Sequence, residues 1–354
     1  MLTEPAYIVA LGASTALGRS ALSSAAAVRA GITGHAQHPY MMDLAGKPMI
    51  VAAAPWVDIE LCGTQRLQAL LCPAIDQVLE SASAITGMQT ALALAVPAPR
   101  PGLSANFQAE LVAVLNERYR GVFAASAVFP HGHAGGLIAL QAACHKLAQG
   151  TLDACVVAGV DSYIAPETLE WLEACDQVHA AGPLNNAWGF VPGEGAGALL
   201  LVRSAIADQF ANSILAQVLG VGTATESKRI KTKTVCIGEG LTQAFRSALE
   251  ALPQGSRISD VYCDMNGEPY RADEYGFTCL RTKEHFESAS DFVAPADCWG
   301  DVSSASTLLY IGLAAIAGHK GYANGSTALV WASSEQGERG AALLRVSQGQ
   351  SHAS

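Results

Sequence analysis

Charge is scarce in this 354-residue chain: 15% of residues are Asp, Glu, Lys or Arg, against 50% hydrophobic. That balance excludes a disordered chain and leaves enough apolar material for one large core or two fused ones. The acidic share dominates, and a net charge of −10 argues against nucleic acid or an anionic membrane as a partner. Long apolar runs are also missing. Gly, Pro or charge breaks every stretch before about 18 residues, so no membrane span is expected. The start, MLTEPAYIVALGAS, lacks a basic region ahead of its first strand, which argues against a signal peptide and for a cytoplasmic protein. The nine cysteines are odd in number and show no CxxC spacing. Neither a disulfide framework nor a metal site is expected; they read as small buried hydrophobes in a reducing compartment. A GxGxxG loop is absent too. The first turn spaces Gly12 and Gly18 instead, a poor fit to a dinucleotide site, and no cofactor is expected.

What is present is an alternation of strands and helices. Strand 7-YIVALGAS-14 leads to a helix over 17–31 closed by Gly31. A short strand, 48–54, precedes a helix over 64–82 that Pro73 is expected to kink. Strand 90–97, helix 107–119 and a strand near 121–128 follow. The run 153-DACVVAGVDS-162 is continuously apolar, as a strand buried on both faces must be. After a helix over 166–177 comes 189-GFVPGEGAGALLLV-202, and then the order repeats: strand 214–224, helix 239–252, strand 260–267, a helix from about Ala305, and strands 326–333 and 341–346. This predicts an α/β protein with helices covering its sheets, and the repeated order suggests an internal duplication.

Within the first half of that pattern lies 129-FPHGHAGGLIALQAACHKLAQG-150. Its Gly-rich turn carries His131 and His133 at the mouth of an apolar helix. A helix start favours anions and thiolates, yet no cysteine stands there.

The run 189-GFVPGEGAGALLLV-202 resembles the motif that follows the nucleophile region in β-ketoacyl synthases, the condensing enzymes of the thiolase fold. Four further segments agree in order: 8-IVALGASTALG-18, 150-GTLDACVVAGVDSYIAPETLEWL-172, 261-VYCDMNGEPYRADE-274 and 299-WGDVSSASTLLYIGLAA-315. The resemblance implies a five-layered αβαβα fold built from two duplicated halves, residues 1–210 and 211–354, each with a five-stranded mixed sheet. It places the helix from about Ala134 in the central layer. It also implies dimerisation, with a second copy or a related subunit, where strands near 121–128 meet across a twofold axis.

The family's chemistry needs a cysteine and two histidines, and each can be carried over by position. The cysteine position is His133. Cys144 cannot replace it, lying about 16 Å further along the same helix. The first histidine turn reads Asn266, Gly267, Glu268, Pro269, Tyr270, and the second pair is Gly300 and Asp301. The family's lysine aligns with Ala296, and its late glycine loop appears as 333-SSEQGERGA-341. Every catalytic position has changed type.

Two classes of function follow. In the first, the chain is a degenerate, non-condensing synthase acting as a binding, scaffold or adaptor subunit. It would partner an active synthase, or serve a type VI secretion effector complex, as short proteins of this kind are associated with. In the second it is an enzyme: an acyltransferase or synthase of fatty acid or polyketide biosynthesis, or a hydrolase pairing His133 with Asp301 and using Ser303 or Ser304. His133 suits proton transfer near neutrality, but a structural histidine is the plainer reading. Glu194, in the GEGAG turn, reads as architectural. Lys228, Arg229, Lys231 and Lys233 form a basic loop that, by the resemblance, could receive an acidic acyl carrier protein; a solvated face is the alternative.

Overall fold

The computed structural model describes residues 4–81, 85, 87–230, 232 and 234–349. In chain order its strands are β1 (Ala6–Thr15), β2 (Ala36–Met42), β3 (Pro48–Val51), β4 (Thr90–Ala95), β5 (Ala125–Phe129), β6 (Ala154–Ser162), β7 (Glu194–Arg203), β8 (Ala216–Thr225), β9 (Asp260–Cys263), β10 (Thr327–Ser333) and β11 (Glu338–Val346). The helices are α1 (Ala21–Arg29), α2 (Gly63–Glu80), α3 (Phe107–Arg118), α4 (Gly135–Ala148), α5 (Pro166–Ala174), α6 (Glu239–Leu249), α7 (Pro269–Thr282), α8 (Ala296–Trp299) and α9 (Ser306–His319). The end of the expected second helix at Ala82, and the first three residues of the N-terminal stretch, lie outside the described residues.

Nine strands hydrogen-bond in one order, β5–β4–β6–β7–β1–β8–β11–β10–β9, which falls into two mixed sheets. One runs β5–β4–β6–β7–β1, with β5, β4 and β6 parallel and β7 and β1 antiparallel. The other runs β8–β11–β10–β9, so among the described residues it has four strands where five were expected. The sheets are joined at one corner, where Ala6 faces Val218 and Ile8 faces Ala216. Helices α4 and α9 touch strands of both sheets, α2 and α6 cover the two outer faces, and α3 and α7 pack on them. The layers are therefore α, β, α, β, α.

Side-chain pattern explains the layering. Every residue of β6 is buried, as a strand covered on both faces requires. In α9 all residues but His319 are buried, so this is the helix enclosed between sheets. α4 is less enclosed than its apolar sequence implies: Leu137, Ala139, Leu140 and Ala143 are buried, but Ile138, Gln141 and Ala142 are half-buried. Gln141 turns towards β8, its Nε2 donating to Val221 O at 3.2 Å while its Oε1 accepts from Thr223 Oγ1 at 2.9 Å.

Close approach of the outer helices depends on glycine in the strands. A Cβ on Gly12 of β1 would sit 1.9 Å from the Ala74 carbonyl of α2, and one on Gly222 of β8 would sit 2.0 Å from the Ala244 carbonyl of α6. The same device recurs in both sheets. Pro73 does not interrupt α2, which runs unbroken through it with Pro73 on its exposed side. The strand expected over 121–128 begins at Ala125, and residues 124–127 are exposed along the sheet's edge.

Candidate functional site

The turn before α4 is clamped from the far half of the chain. Ser334, just after β10, accepts the Ala134 amide at 2.9 Å and donates to the His131 carbonyl at 2.5 Å. This holds His133, 4% exposed, at the mouth of the helix. Opposite it, the Asp301 amide donates to Val191 O at 2.8 Å and the Gly193 amide donates to Asp301 O at 2.9 Å. The glycine-rich 189–202 run thus fixes the backbone of Asp301 from the side.

The three positions carried over from the synthase motifs meet here. His133 Nε2 lies 2.8 and 2.9 Å from the two Asp301 carboxylate oxygens. Asn266 Nδ2 donates to Asp301 Oδ2 at 2.6 Å and to Glu268 Oε2 at 3.1 Å. The Ser303 amide completes the carboxylate's shell at 2.8 Å, and Ser303 takes a left-handed φ of 39° to do so. Arg271, fully buried, lies behind them. Its Nη1 donates to Asp264 Oδ2 and to Ser333 O, and its Nη2 stands 3.3 Å from His133 Nε2.

With Arg271 a donor only, the short contacts to Asp301 require a proton on His133 Nε2. Burial opposes charge on this imidazole, but the Asp301 carboxylate outweighs both burial and Arg271, and its pKa is raised from 6.5. Burial likewise opposes charge on Asp301, yet His133 and Arg271 hold its carboxyl well below the usual range. The helix start therefore does not pull this histidine's pKa below its ordinary value.

The other candidates sort clearly. Glu194 is buried in a bidentate pair with Arg66 at 2.6 and 2.8 Å, and also accepts from Ser162 Oγ and the Ala54 amide; every contact is architectural. Ser304 Oγ is bonded to Val160 O and Asp161. No serine hydroxyl hydrogen-bonds to His133 among the described residues, so no Ser–His–Asp relay is assembled. His131 pairs with Glu338 at 3.2 Å. Cys144 is buried, which pushes its thiol far up, away from thiolate reactivity. In the basic loop, Lys228 pairs with Glu239 at 3.1 Å and Arg229 donates to Gln336 O at 3.3 Å; Lys231 and Lys233 lie outside the described residues. Glu226, Cys236 and Glu274 come within 4.8 Å of one another. Their carboxylates, however, are taken by the Lys228 and Gly240 amides, Arg339 and Ser333.

Several residues of this site were not singled out from sequence: Arg271, Asp264 and Glu268 behind His133, and Arg100, Tyr163 and Ser334 around it. A cavity of about 120 Å³ opens beside His133, lined among others by Arg100, Tyr163, Trp171, Ser303 and Glu335. A usable signal did exist. Pro269 marks a helix start, which would have put Arg271 and Glu274 on the first turns of α7.

Residues 129–207 match the family model of the beta-ketoacyl synthase N-terminal domain. Among solved structures, one of a type II polyketide synthase acyl-carrier protein in complex with its ketosynthase, bound to the hexaketide, is similar with a TM-score of 0.81. It is 15% identical, over 97% of this chain and 99% of its own. The ketosynthase from module 6 of the bacillaene synthase of Bacillus subtilis 168 gives 0.78 at 16% identity, covering 98% and 72%. The ishigamide ketosynthase/chain length factor gives 0.70 at 20% identity, covering 97% and 99%. No curated protein matches the chain.

Proposed function

Since the chain has the thiolase-like ketosynthase fold, we propose that it is a non-condensing protein of that type, a binding or scaffold subunit that works through partners. The observation that carries this is the state of His133. Where a condensing enzyme needs a thiolate, this chain has an imidazole whose Nε2 is locked to Asp301. No acyl thioester can be passed to it as to a cysteine, and Asn266 and Asp301 cannot act as two imidazoles. Residues 1–210 and 211–354 are then the two duplicated halves.

Two surfaces support a partner. Among the described residues the outer edge of β5 is unpaired, and beside it α4 and β4 line a groove of about 350 Å³ rich in alanine; such an edge calls for a second copy or a related subunit. Arg229 packs on the turn Gln336–Gly337, and Gln336 lines the His133 cavity. A basic side chain at that rim suits an acidic carrier protein, with a secretion adaptor role as the alternative occupant of the same reading.

The test is incubation of the full chain with malonyl- and acyl-thioesters of a carrier protein, read by intact mass. No covalent adduct and no ketoacyl product are expected. An acyl adduct on any residue would overturn the reading.

A further inference from the structure

His133 and Arg100 each keep nitrogens out of the network. Nε2 of His133 is committed to Asp301, and its Nδ1 has no hydrogen-bond partner among the described residues. Arg100 Nη2 is bound to Asp161 and, at 2.7 Å, to the Ser162 carbonyl. Its Nη1 has no hydrogen-bond partner among the described residues, and its Nε, also without one, is closed off from the cavity. An unpaired donor beside an open cavity leaves a place for an acceptor. Arg100 is 5% exposed in its side chain, and both residues line the same cavity of about 120 Å³. Each has its negative partner, Asp161 or Asp301, on the side of its other nitrogen. The free nitrogens are therefore what these two residues have left to offer the cavity.

The remaining walls set the rest of the ligand. Trp171, Leu172 and Pro99 are apolar surface, the Tyr163 ring lies against the Arg100 guanidinium at 4.3 Å, and Glu335, the one carboxylate in the lining, accepts from Gln177 Nε2. At roughly 30 Å³ per group, the cavity of about 120 Å³ takes one carboxylate group and a chain of about three carbons. We propose that it holds a small organic monocarboxylate without a covalent bond, the carboxylate between His133 and Arg100 and a short chain against Tyr163, Trp171 and Leu172. This rests on the reading that no acyl-enzyme forms at His133. Charge-assisted pairs of this kind are the stronger hydrogen bonds, and guanidinium suits a carboxylate.

Calorimetric titration of the full chain with sodium butyrate tests it, with acetate, octanoate and inorganic phosphate as further probes. Saturable one-to-one binding of butyrate is expected, with acetate and octanoate weaker and phosphate absent. Two variants report on the site: His133→Gln removes the charged donor, and Ala98→Leu fills the cavity from a wall outside the charged network. Each should weaken butyrate at least tenfold, with the Ala98→Leu melting curve unchanged. No saturation by butyrate below about 10 mM, equal binding of phosphate, or wild-type affinity in Ala98→Leu would overturn the proposal. The two ideas separate cleanly. Thioester loading seen by mass removes the non-condensing reading, whereas absent loading together with absent butyrate binding removes only the carboxylate site.

Discussion

Replacing Asp301 by asparagine keeps the shape of the side chain and removes its charge. The carboxylate is 3% exposed and accepts from His133, Asn266 and the Ser303 amide. Its loss leaves the His133 imidazole 3.3 Å from the Arg271 guanidinium without a carboxylate of its own, since Asp264 and Glu268 pair with Arg271. The new amide also points a donor at a donor, the Asn266 Nδ2. Removing one partner of a buried pair costs about 3–5 kcal/mol, whereas losing an ordinary hydrogen bond costs about 1. With about 2.1 cal/mol/K of unfolding entropy per residue, a chain of 354 residues loses roughly 1.3 °C of Tm per kcal/mol. Asp301→Asn should therefore lower Tm by roughly 4–7 °C in scanning calorimetry at pH 7. Asp273→Asn, an exposed carboxylate on α7, should move it by less than about 1 °C. A shift under about 1.5 °C in Asp301→Asn would mean that the pair is not charged, and the account of the site would fail.

Wild-type Tm should fall as pH rises above 6.5 through the raised pKa of His133, because a histidine protonated only in the fold stabilises below that point. The charged groups acting on it are Asp301, Arg271 and Asp264; His133→Gln should flatten the slope between pH 6 and 9, and an unchanged slope would assign it elsewhere. Asp301 acts in the opposite sense: its depressed carboxyl stabilises at neutral pH, and that contribution is lost as acid protonates it. Gly12→Ala places a methyl 1.9 Å from the Ala74 carbonyl; it should cost at least 1–3 kcal/mol in urea unfolding, and a neutral result would show that α2 can move away. His133→Cys alone should give no ketoacyl product with malonyl and acyl thioesters, since Asn266 and Asp301 remain; measurable product would show that those two positions matter less than argued.

Much of the frame was legible because it follows from periodic burial. The all-apolar 153–162 run could only be a strand covered on both faces, and it is β6. The helix from Ala134 was expected in the central layer and does touch both sheets, but α9, placed only as a helix from about Ala305, is the more enclosed of the two. Pro73 misled because a proline on the exposed side of a helix, anchored by neighbours such as Leu70, Leu71 and Ala74, need not break it. The edge of β5 was placed early because Val122 and Phe123 have strand propensity, but pairing with Ala91 starts only at Ala125. The missing α7 reflects a different limit. Its inward residues are Arg271, Glu274 and Thr278 as well as Tyr275, so polarity hid a helix whose buried side is charged.

That charged side is also why the site was only half readable. Position in an ordered set of motifs was enough to bring His133, Asn266 and Asp301 together, because the strand ends that carry them are fixed by the sheets. Nothing local marks Arg271 as their neighbour. A buried arginine needs its carboxylates from elsewhere, and here they come from Asp264 and Glu268 on either side of the Asn266 turn, while the imidazole comes from the start of α4. Such a group of charges is stable only when complete. Asp301 supplies the anion that holds the His133 imidazole, Asn266 donates to it without adding charge, and Arg271 balances the carboxylates that remain. The three residues therefore form one coupled group. A double-mutant cycle of His133→Gln with Asp301→Asn should show it as a coupling of about 1–3 kcal/mol; additive losses would mean that the residues are neighbours by inheritance alone.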